Sequence, residues 1–489
     1  MKKIIFALVA LASPLTAAPW ISPDDLHLRA DLQRLGAEGV ISVPLTTYPL
    51  MWSGIANDLH DVSQHQLSAA AAESLRRVRH RMMQEIHNGA STSVSMSAGS
   101  ANARFQHFGS VNRDKLGSQV SAEFLSDRFA GNLSVQYAAD PRDDESFRLD
   151  DTYLAVVMGN WVVSAGQVAQ WYGPGMDSAL LMSTNARPMP GVHLTRNQSQ
   201  PFESKWLAWI GPWHLTTGVN WMNDEDRHVQ DALVYDIRIT AKPLPQLEIG
   251  VSRAAQLCGE GRPCDFDVWK NMFTGKDNTG VDGITPENQP GNQTAGVDAK
   301  WSSIVAGVPY SIYVETMGED SFTLSRFPPF RKVSRLFGFD FSYSVAGQQV
   351  TTFVEYSDTE TDCQLQQNCT YEHSVYRSGM RYNQRALGST YDNDAHTLTV
   401  GNIGFSPNGN MWKLNLRWLD LNRDDSNRAE PGGNPVAPQA ETNIQLDGAY
   451  IMPLFGGRLE MTAEVSHSDP SDQSSSTDAE LWSNWQYRF

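Results

Sequence analysis

Residues 233–251, with the sequence LVYDIRITAKPLPQLEIGV, decide the fold class of this chain. Apolar residues alternate with mostly polar ones from Leu233 to Lys242, and the same period of two resumes at Leu247 after a Pro-containing turn. This alternation is expected of β-strands with one apolar face, and a turn this short joins antiparallel neighbours. The stretch therefore predicts a β-hairpin.

The same alternation recurs through most of the chain from about residue 92 onward. It appears, for example, at residues 215–221, 337–345, 412–418, 444–450 and 459–465. Tight turns alternate with long polar loops, and a strand with an aromatic face, including Trp485 and Phe489, ends the sequence. A secreted β-sandwich or propeller shares the alternation, but the loop asymmetry and the aromatic strand are typical of outer-membrane barrels. We therefore predict an all-β transmembrane fold, a large antiparallel outer-membrane β-barrel over residues 92–489 with roughly 14 to 18 strands.

The first part of the chain has a different pattern. Two lysines precede a short apolar run and a small-residue segment, which is the three-part form of a secretory signal peptide over residues 1–18. Over residues 19–91, apolar residues recur at helical spacing, as in Leu28, Leu32 and Leu35. We therefore expect an exported protein with a helical module at 19–91, which with the long loops is a candidate to plug the barrel; the resemblance described below places this module in the periplasm.

Composition and motifs exclude several classes of protein. The 489 residues are 40% hydrophobic, have a mean hydropathy of −0.39, and contain no apolar run long enough for a membrane-spanning helix. The 38 Lys and Arg against 55 Asp and Glu give a net charge of −17, which excludes a basic nucleic-acid-binding protein. No hydrolase elbow, zinc-protease motif or phosphate-binding loop is present. The sequence therefore predicts no motif-based catalytic site, no metal site and no cofactor. A pair of carboxylates of the kind that glycosidases use stays open, with Glu260 and Asp265 or Glu319 and Asp320 as the first to test.

The four cysteines form two local pairs, Cys258 with Cys264 and Cys363 with Cys369. An exported protein meets an oxidising compartment, and the closeness of each pair in sequence favours two local disulfides over the other two connectivities. Zinc binding is the weaker alternative, because the spacing does not match a zinc knuckle and no histidine pair stands beside the cysteines.

Four segments rich in Gly, Trp, Arg and acidic residues point to a known family. They are GQVAQWYGPGMDSALLMSTNARPMPG at 166–191, GEGRP at 259–263, FTGKDNTG at 273–280 and GNQTAGVD at 291–298. Together with the signal peptide, the helical start and the terminal strand, they closely resemble the capsule assembly Wzi family. The resemblance implies an 18-stranded outer-membrane barrel that is closed by its loops and has a periplasmic helical bundle. It also implies a lectin that attaches capsular polysaccharide to the cell surface and is not an enzyme.

The family-like segments and their neighbourhood contain residues whose side chains are suited to binding sugars. Aromatic rings stack on the apolar faces of sugars, and cationic side chains bind acidic glycan groups. The candidate polysaccharide-binding residues are Trp171, Tyr172, Arg187, Glu260, Arg262, Lys270 and Asp277. The alternative is that residues 173–175 and their neighbours form a structural turn inside the barrel. The two cysteine pairs depart from the family pattern, and the first pair brackets GEGRP.

The expected function is the attachment of capsular or exopolysaccharide to the cell surface. The alternatives are a diffusion channel for saccharides or other polar solutes, which requires an open lumen, and a barrel enzyme acting on lipid or glycan. Outer-membrane lipid and the barrel assembly machinery are the other expected partners. Because the net charge of −17 repels an acidic polysaccharide at long range, such a ligand requires a local basic patch that acts within about 8 Å at physiological salt.

Overall fold

The computed structural model describes residues 19–64, 67–87, 89–111, 113–274, 291–319, 333–361 and 369–489. The predicted signal peptide at 1–18 lies outside these residues, and so do Asp277 and Cys363.

Eighteen antiparallel strands of the described chain form a closed barrel, which confirms the predicted fold class and strand number. The strands are β1 (Ala90–Gly99), β2 (Leu116–Leu125), β3 (Phe129–Ala139), β4 (Tyr153–Met158), β5 (Trp161–Gln167), β6 (Pro190–Arg196), β7 (Trp213–Met222), β8 (Ala232–Leu244), β9 (Leu247–Leu257), β10 (Gly291–Val305), β11 (Val308–Glu319), β12 (Ser334–Val345), β13 (Gln348–Asp358), β14 (His396–Phe405), β15 (Met411–Leu421), β16 (Glu441–Leu454), β17 (Gly457–Pro470) and β18 (Ser476–Arg488). The barrel closes where β18 pairs with β1, for example at Ser483 and Ala98. We call this junction the seam.

The two ends of the barrel differ in the length of their connections. At one end the strands are joined mostly by tight turns, such as 306–307 and 346–347. At the other end the connections are longer and include residues 359–395 and 422–440. In outer-membrane barrels the tight turns face the periplasm and the long loops face the exterior, so we name the two ends accordingly.

The outer surface of the barrel is apolar, and the inner surface is polar. In β8, the side chain of Ile239 is 42% exposed on the outside, whereas Asp236 and Arg238 are at most 1% exposed on the inside. The predicted alternation is therefore present, with its apolar face turned outward. This is the arrangement that a barrel needs when lipid surrounds it.

The N-terminal residues form three helices, α1 (Leu26–Ala37), α2 (Trp52–Leu59) and α3 (Ala69–His87). The Asp25 side chain caps α1 by accepting a hydrogen bond from the N–H of Leu28 at 2.9 Å. Arg34 of α1 donates to Gln349 of β13 at 2.9 Å, next to a periplasmic turn. The helix therefore lies within the periplasmic end of the barrel.

One more helix, α4 (Phe266–Thr274), lies in an extracellular loop. None of the helices in the described ranges is long and apolar enough to cross a bilayer.

Candidate functional site

A segment between β5 and β6, residues 168–189, runs through the lumen, and we call it the plug segment. Two buried wall carboxylates hold its backbone. Glu355 accepts hydrogen bonds from the N–H groups of Met176 at 2.6 Å and Ser178 at 2.9 Å. Glu315 accepts one from the N–H of Leu180 at 2.8 Å. A buried N–H group needs an acceptor, so these hydrogen bonds fix the plug segment against β11 and β13.

Gly173 shows how closely the plug segment approaches the wall. Its φ is +135°, a backbone conformation that favours glycine. A Cβ atom at this position would lie 2.3 Å from a carboxylate oxygen of Glu315. A side chain at this position would push the segment away from the wall.

Asp177 of the plug segment is the centre of a buried polar network. Arg417 of β15 donates to Asp177 from two nitrogens at 2.8 and 2.9 Å, and Thr399 of β14 donates to it at 2.9 Å. The hydroxyl of Tyr391 donates to the same carboxylate. Burial acts to raise the pKa of Asp177, but Arg417 and His107 outweigh burial, and the pKa is lowered. Asp177 is therefore held as a carboxylate.

Trp171 and Tyr172 are both fully buried within the lumen. The hydroxyl of Tyr172 donates to Asp236 at 2.6 Å, and the ring of Trp171 packs edge-on against Phe108 at 5.2 Å between centroids. The guanidinium of Arg29 lies 5.6 Å from the Trp171 ring centroid. Neither ring is accessible to a sugar in this structure, and these contacts agree with the structural-turn alternative. Sugar binding by the two residues remains a prediction.

Arg187, near the end of the plug segment, is buried among carboxylates. It donates to both oxygens of Asp150 at 2.8 and 2.9 Å and to Asp143 at 2.9 Å, and it also binds Glu145. Burial acts to lower the pKa of Arg187, but these carboxylates outweigh it, and the pKa is raised. The guanidinium is therefore already neutralised within the protein.

The first predicted disulfide, Cys258–Cys264, is present with a Cα–Cα distance of 4.7 Å. It closes the GEGRP segment into a small extracellular loop after β9. Cys369 is also disulfide-bonded, and its predicted partner Cys363 lies outside the described residues.

Three further candidate residues lie in this extracellular region. The Glu260 and Lys270 side chains are exposed, and Arg262 lies with its guanidinium 5.8 Å from the ring centroid of Tyr376. These residues belong to loop 258–274, whereas Trp171, Tyr172 and Arg187 belong to the plug segment. The candidates therefore fall into two separate segments, and Asp277 lies outside the described residues.

A small basic cavity, which sequence reasoning missed, lies at the extracellular end of the plug segment. We call it the arginine cavity; it measures about 30 Å³. Its lining residues are Ala103, Arg113, Asp114, Arg142, Asp143, Arg148, Arg187, Asn383 and Arg385. They come from four separate stretches of the chain, so only folding brings five arginines together, and no local sequence motif marks the cavity.

The arginines in this cavity affect one another electrostatically. Burial lowers the pKa of Arg385 to about 9, and the charges of Arg142 and Arg113 add to the effect. Burial likewise lowers the pKa of Arg113 to about 10; the charge of Asp150 opposes this shift, and the charges of Arg148 and Arg187 add to it. The cavity therefore concentrates positive charge within a chain of net charge −17.

A second, larger cavity of about 370 Å³ lies between the plug segment and the seam. We call it the seam cavity. Its wall is rich in hydroxyl and amide side chains, including Ser93, Ser95, Ser97, Gln119, Gln136, Asn484 and Gln486. On the other side of the lumen the inward-facing side chains are buried, as Thr240 and Thr399 are at 1% exposure each. The plug segment therefore packs against one side of the barrel and leaves a polar space along the other.

The extracellular loops 359–395 and 422–440 meet where Asp394 contacts Asp424, and this contact depends on pH. Asp394 accepts a hydrogen bond from the N–H of Asp424, and burial together with the Asp424 and Glu360 charges raises the Asp394 pKa to about 7. In the unfolded chain this carboxyl titrates near 3.8, so between these values the folded loops hold a proton that the unfolded loops release. The stabilising effect is complete below about pH 4 and is lost as the pH rises through about 7.

We therefore expect the amides of residues 422–427 to be more protected at about pH 5.5 than at about pH 8.5. Hydrogen exchange, corrected for the intrinsic rate at each pH, measures this difference. Asp394→Asn should remove it and give high protection at both values. Equal protection of the unaltered protein at the two pH values would rule out the proposed protonation.

Comparisons with known proteins place the chain in a family. The capsule assembly protein Wzi family model matches residues 85–481. An uncharacterized 55.8 kDa protein in the cps region of Klebsiella pneumoniae is 32% identical over 342 residues, which cover 69% of this chain and 65% of that protein. The matched stretch is thus somewhat less than two thirds of that relative's length.

A solved structure shows the same fold over nearly the whole chain. It is Wzi of Escherichia coli, described as an outer membrane protein involved in group 1 capsule assembly and as a carbohydrate-binding β-barrel. The TM-score is 0.81 at 24% sequence identity, and the match covers 98% of this chain and 100% of that one. The closed barrel with its apolar outer surface, together with the family match, places this protein in the outer membrane as a multi-pass barrel. Because the family model covers most of its length, the chain belongs to the capsule assembly Wzi family.

Proposed function

We propose that this protein binds capsular or exopolysaccharide at its extracellular face and attaches it to the cell surface during capsule assembly. The observation that carries the proposal is the plug segment, which buried wall residues such as Glu355 and Arg417 hold within the lumen. A barrel filled in this way serves as a scaffold for its loops rather than as a wide pore. Family membership and the carbohydrate binding ascribed to the Escherichia coli protein also support the proposal.

The extracellular loops rest on the plug segment. The side-chain amide of Asn185 donates to the main-chain carbonyls of Ala386 and Ser389 at 3.0 and 3.2 Å. The Tyr371 hydroxyl donates to the carbonyl of Leu180. Loops that are already fixed lose less conformational entropy when they bind a ligand, which favours binding of a long flexible polymer.

The proposed role is binding without catalysis. We propose that outer-membrane lipid surrounds the apolar outer surface, on which residues such as Leu414 and Leu416 are half exposed. The barrel assembly machinery is the proposed partner during biogenesis, and the aromatic strand β18 is the segment that it would recognise.

The test of attachment is polysaccharide retention by cells that lack the gene. We expect deletion to move high-molecular-weight polysaccharide from the cell-bound fraction to the medium, with total synthesis unchanged, and the intact coding sequence to restore retention. Cell-bound and released polysaccharide are measured separately after low-speed centrifugation. An unchanged cell-bound fraction in the deletion strain would refute attachment in that host.

A further inference from the structure

The arginine cavity contains three guanidinium groups that form no ion pair within the described part of the chain. Arg113 donates to two main-chain carbonyls of the plug segment at 2.8 and 2.9 Å. Arg142 and Arg385 each donate to a carbonyl of loop 100–115, at 3.2 and 2.6 Å. A carbonyl oxygen carries only a partial charge, so these hydrogen bonds do not neutralise the three guanidinium groups.

The two other arginines of the cavity are neutralised, because they form ion pairs with the carboxylates that line it. Arg148 binds Asp114, and Asp143 accepts from both Arg148 at 2.7 Å and Arg187 at 2.9 Å. Asp114 and Asp143 are the two acidic residues among the lining residues. An anion that enters the cavity therefore meets two carboxylates that are already paired and three cations that are not.

Building on the proposed function, we infer that the arginine cavity binds the carboxylate or phosphate group of an acidic glycan. A planar guanidinium presents paired N–H donors whose geometry matches both groups. The approximate volume of 30 Å³ admits a charged group but not a sugar ring.

The seam cavity gives the sugar ring a place beside its charged group. Arg113, Asp114, Arg148 and Arg187 line both cavities, so the two spaces adjoin. The larger one, about 370 Å³, has hydroxyl and amide side chains in its wall that can exchange hydrogen bonds with sugar hydroxyls. The charge is thus recognised in one cavity and the ring in the other.

The arginine cavity also provides the local basic patch that a chain of net negative charge needs in order to bind an acidic ligand. With a net charge of −17, the whole molecule repels a polyanion at long range. Added salt screens that repulsion and also weakens the contact with the arginines, but buried contacts are screened less. The unpaired arginines therefore supply a local attraction that operates only once the glycan is at the surface.

The test compares three forms of one ligand. High-molecular-weight surface polysaccharide from the strain that carries the gene is used in its native form, after reduction of its carboxyl groups to alcohols, and after removal of its phosphate. Binding to the purified protein in detergent is measured by surface plasmon resonance. We expect one of the two treatments to weaken binding by roughly tenfold or more, because a charge-assisted hydrogen-bond pair is lost. The treatment that does so identifies the group as carboxylate or phosphate.

Variants show whether the arginine cavity is responsible. We expect the double variant Arg113→Gln and Arg385→Gln to lose roughly tenfold or more in affinity for the native ligand and to bind the weakened form like the unaltered protein. Neither substitution leaves a carboxylate without its partner, so the barrel should fold, which its heat-modifiable migration on gels verifies. The matched control is Arg377→Gln with Arg423→Gln, which removes two exposed extracellular charges that lie outside the cavity.

The possible outcomes separate this inference from the proposed function. Loss of affinity on one treatment and in the cavity variant, with the control variant unchanged, supports the anion site. Equal binding of all three ligand forms refutes the anion site and leaves polysaccharide binding intact. An equal loss in the cavity and control variants also refutes it, because general electrostatics then explains the effect. Failure to bind any form refutes the proposed function itself.

Discussion

Replacing the plug segment with a short Gly and Ser linker is expected to turn the barrel into an ion-conducting pore. The substitution is feasible because Gln167 and Pro190, which flank the segment, pair directly across β5 and β6, so a linker of about four residues joins them without moving either strand. An 18-stranded barrel is wide enough for an aqueous channel, and removing the plug segment adds its volume to the seam cavity, while α1 still occupies part of the periplasmic end. We expect single-channel conductance in a planar lipid bilayer to rise by roughly tenfold or more over that of the unaltered protein.

The wall should tolerate this deletion. Its strand pairing is independent of the plug segment, and the wall carboxylates Glu315 and Glu355 would be hydrated by the water that enters the lumen. The matched control replaces extracellular loop 223–231 with the same linker between Met222 and Ala232, which also pair directly. If the unaltered protein already conducts as much as the plug deletion, the lumen is open and the diffusion-channel alternative becomes the better one.

The strand alternation was predictable because the membrane imposes a simple rule on every strand. Lipid on the outside requires apolar side chains at every second residue, and this produces a regular sequence pattern, as at Leu414, Leu416 and Trp418. The asymmetry of the connections, which is also visible in the sequence, is a second feature typical of outer-membrane barrels. The Cys258–Cys264 disulfide followed from the predicted export of the chain and from the closeness of the two cysteines in sequence.

The plug was less predictable, because its supports are distant in sequence. Glu315 and Glu355 occupy ordinary inward positions in their strands, and nothing local marks them as ligands for the backbone of residues 176–180. The helical module pointed to a plug, but much of the filling comes from the segment that the resemblance suggested for sugar binding. Trp171 and Tyr172 pack within the lumen in this structure. Because the same residue types also stack on sugars, the sequence alone does not distinguish the two roles.

No motif in the sequence marks the arginine cavity, although the net charge of the chain indicated that an acidic ligand would need a basic patch. A net charge of −17 implies that an acidic ligand requires a local basic patch, but Arg113, Arg142 and Arg385 lie far apart along the chain. Only the convergence of their loops at one end of the barrel brings them together. Recognising such a patch requires the fold, because specificity resides in loops that share no periodic pattern.

Arg417→Ala is expected to be the most destabilising single substitution in the lumen. The guanidinium joins the plug segment to two wall strands, since it binds Asp177 at 2.8 and 2.9 Å and also binds Asp447 of β16. Arg417 is 2% exposed, so its removal would leave the buried carboxylates of Asp177 and Asp447 without their arginine partner. Losing one partner of a buried ion pair costs about 3–5 kcal/mol. The free energy of unfolding, measured by urea titration in detergent micelles, should fall by about that amount.

Two further variants distinguish loss of the ion pairs from loss of packing. Adding Asp177→Asn and Asp447→Asn to Arg417→Ala should restore part of the stability, because the unpaired charges are then absent. Arg423→Ala, which removes an arginine that is 35% exposed and pairs with Asp420 and Glu360, should cost less than about 1 kcal/mol. A loss at Arg417 no larger than that at Arg423 would mean that the plug is not anchored by charge. In that case the hydrogen bonds from the plug backbone to Glu315 and Glu355, together with hydrophobic packing, would have to hold the segment without the Arg417 network.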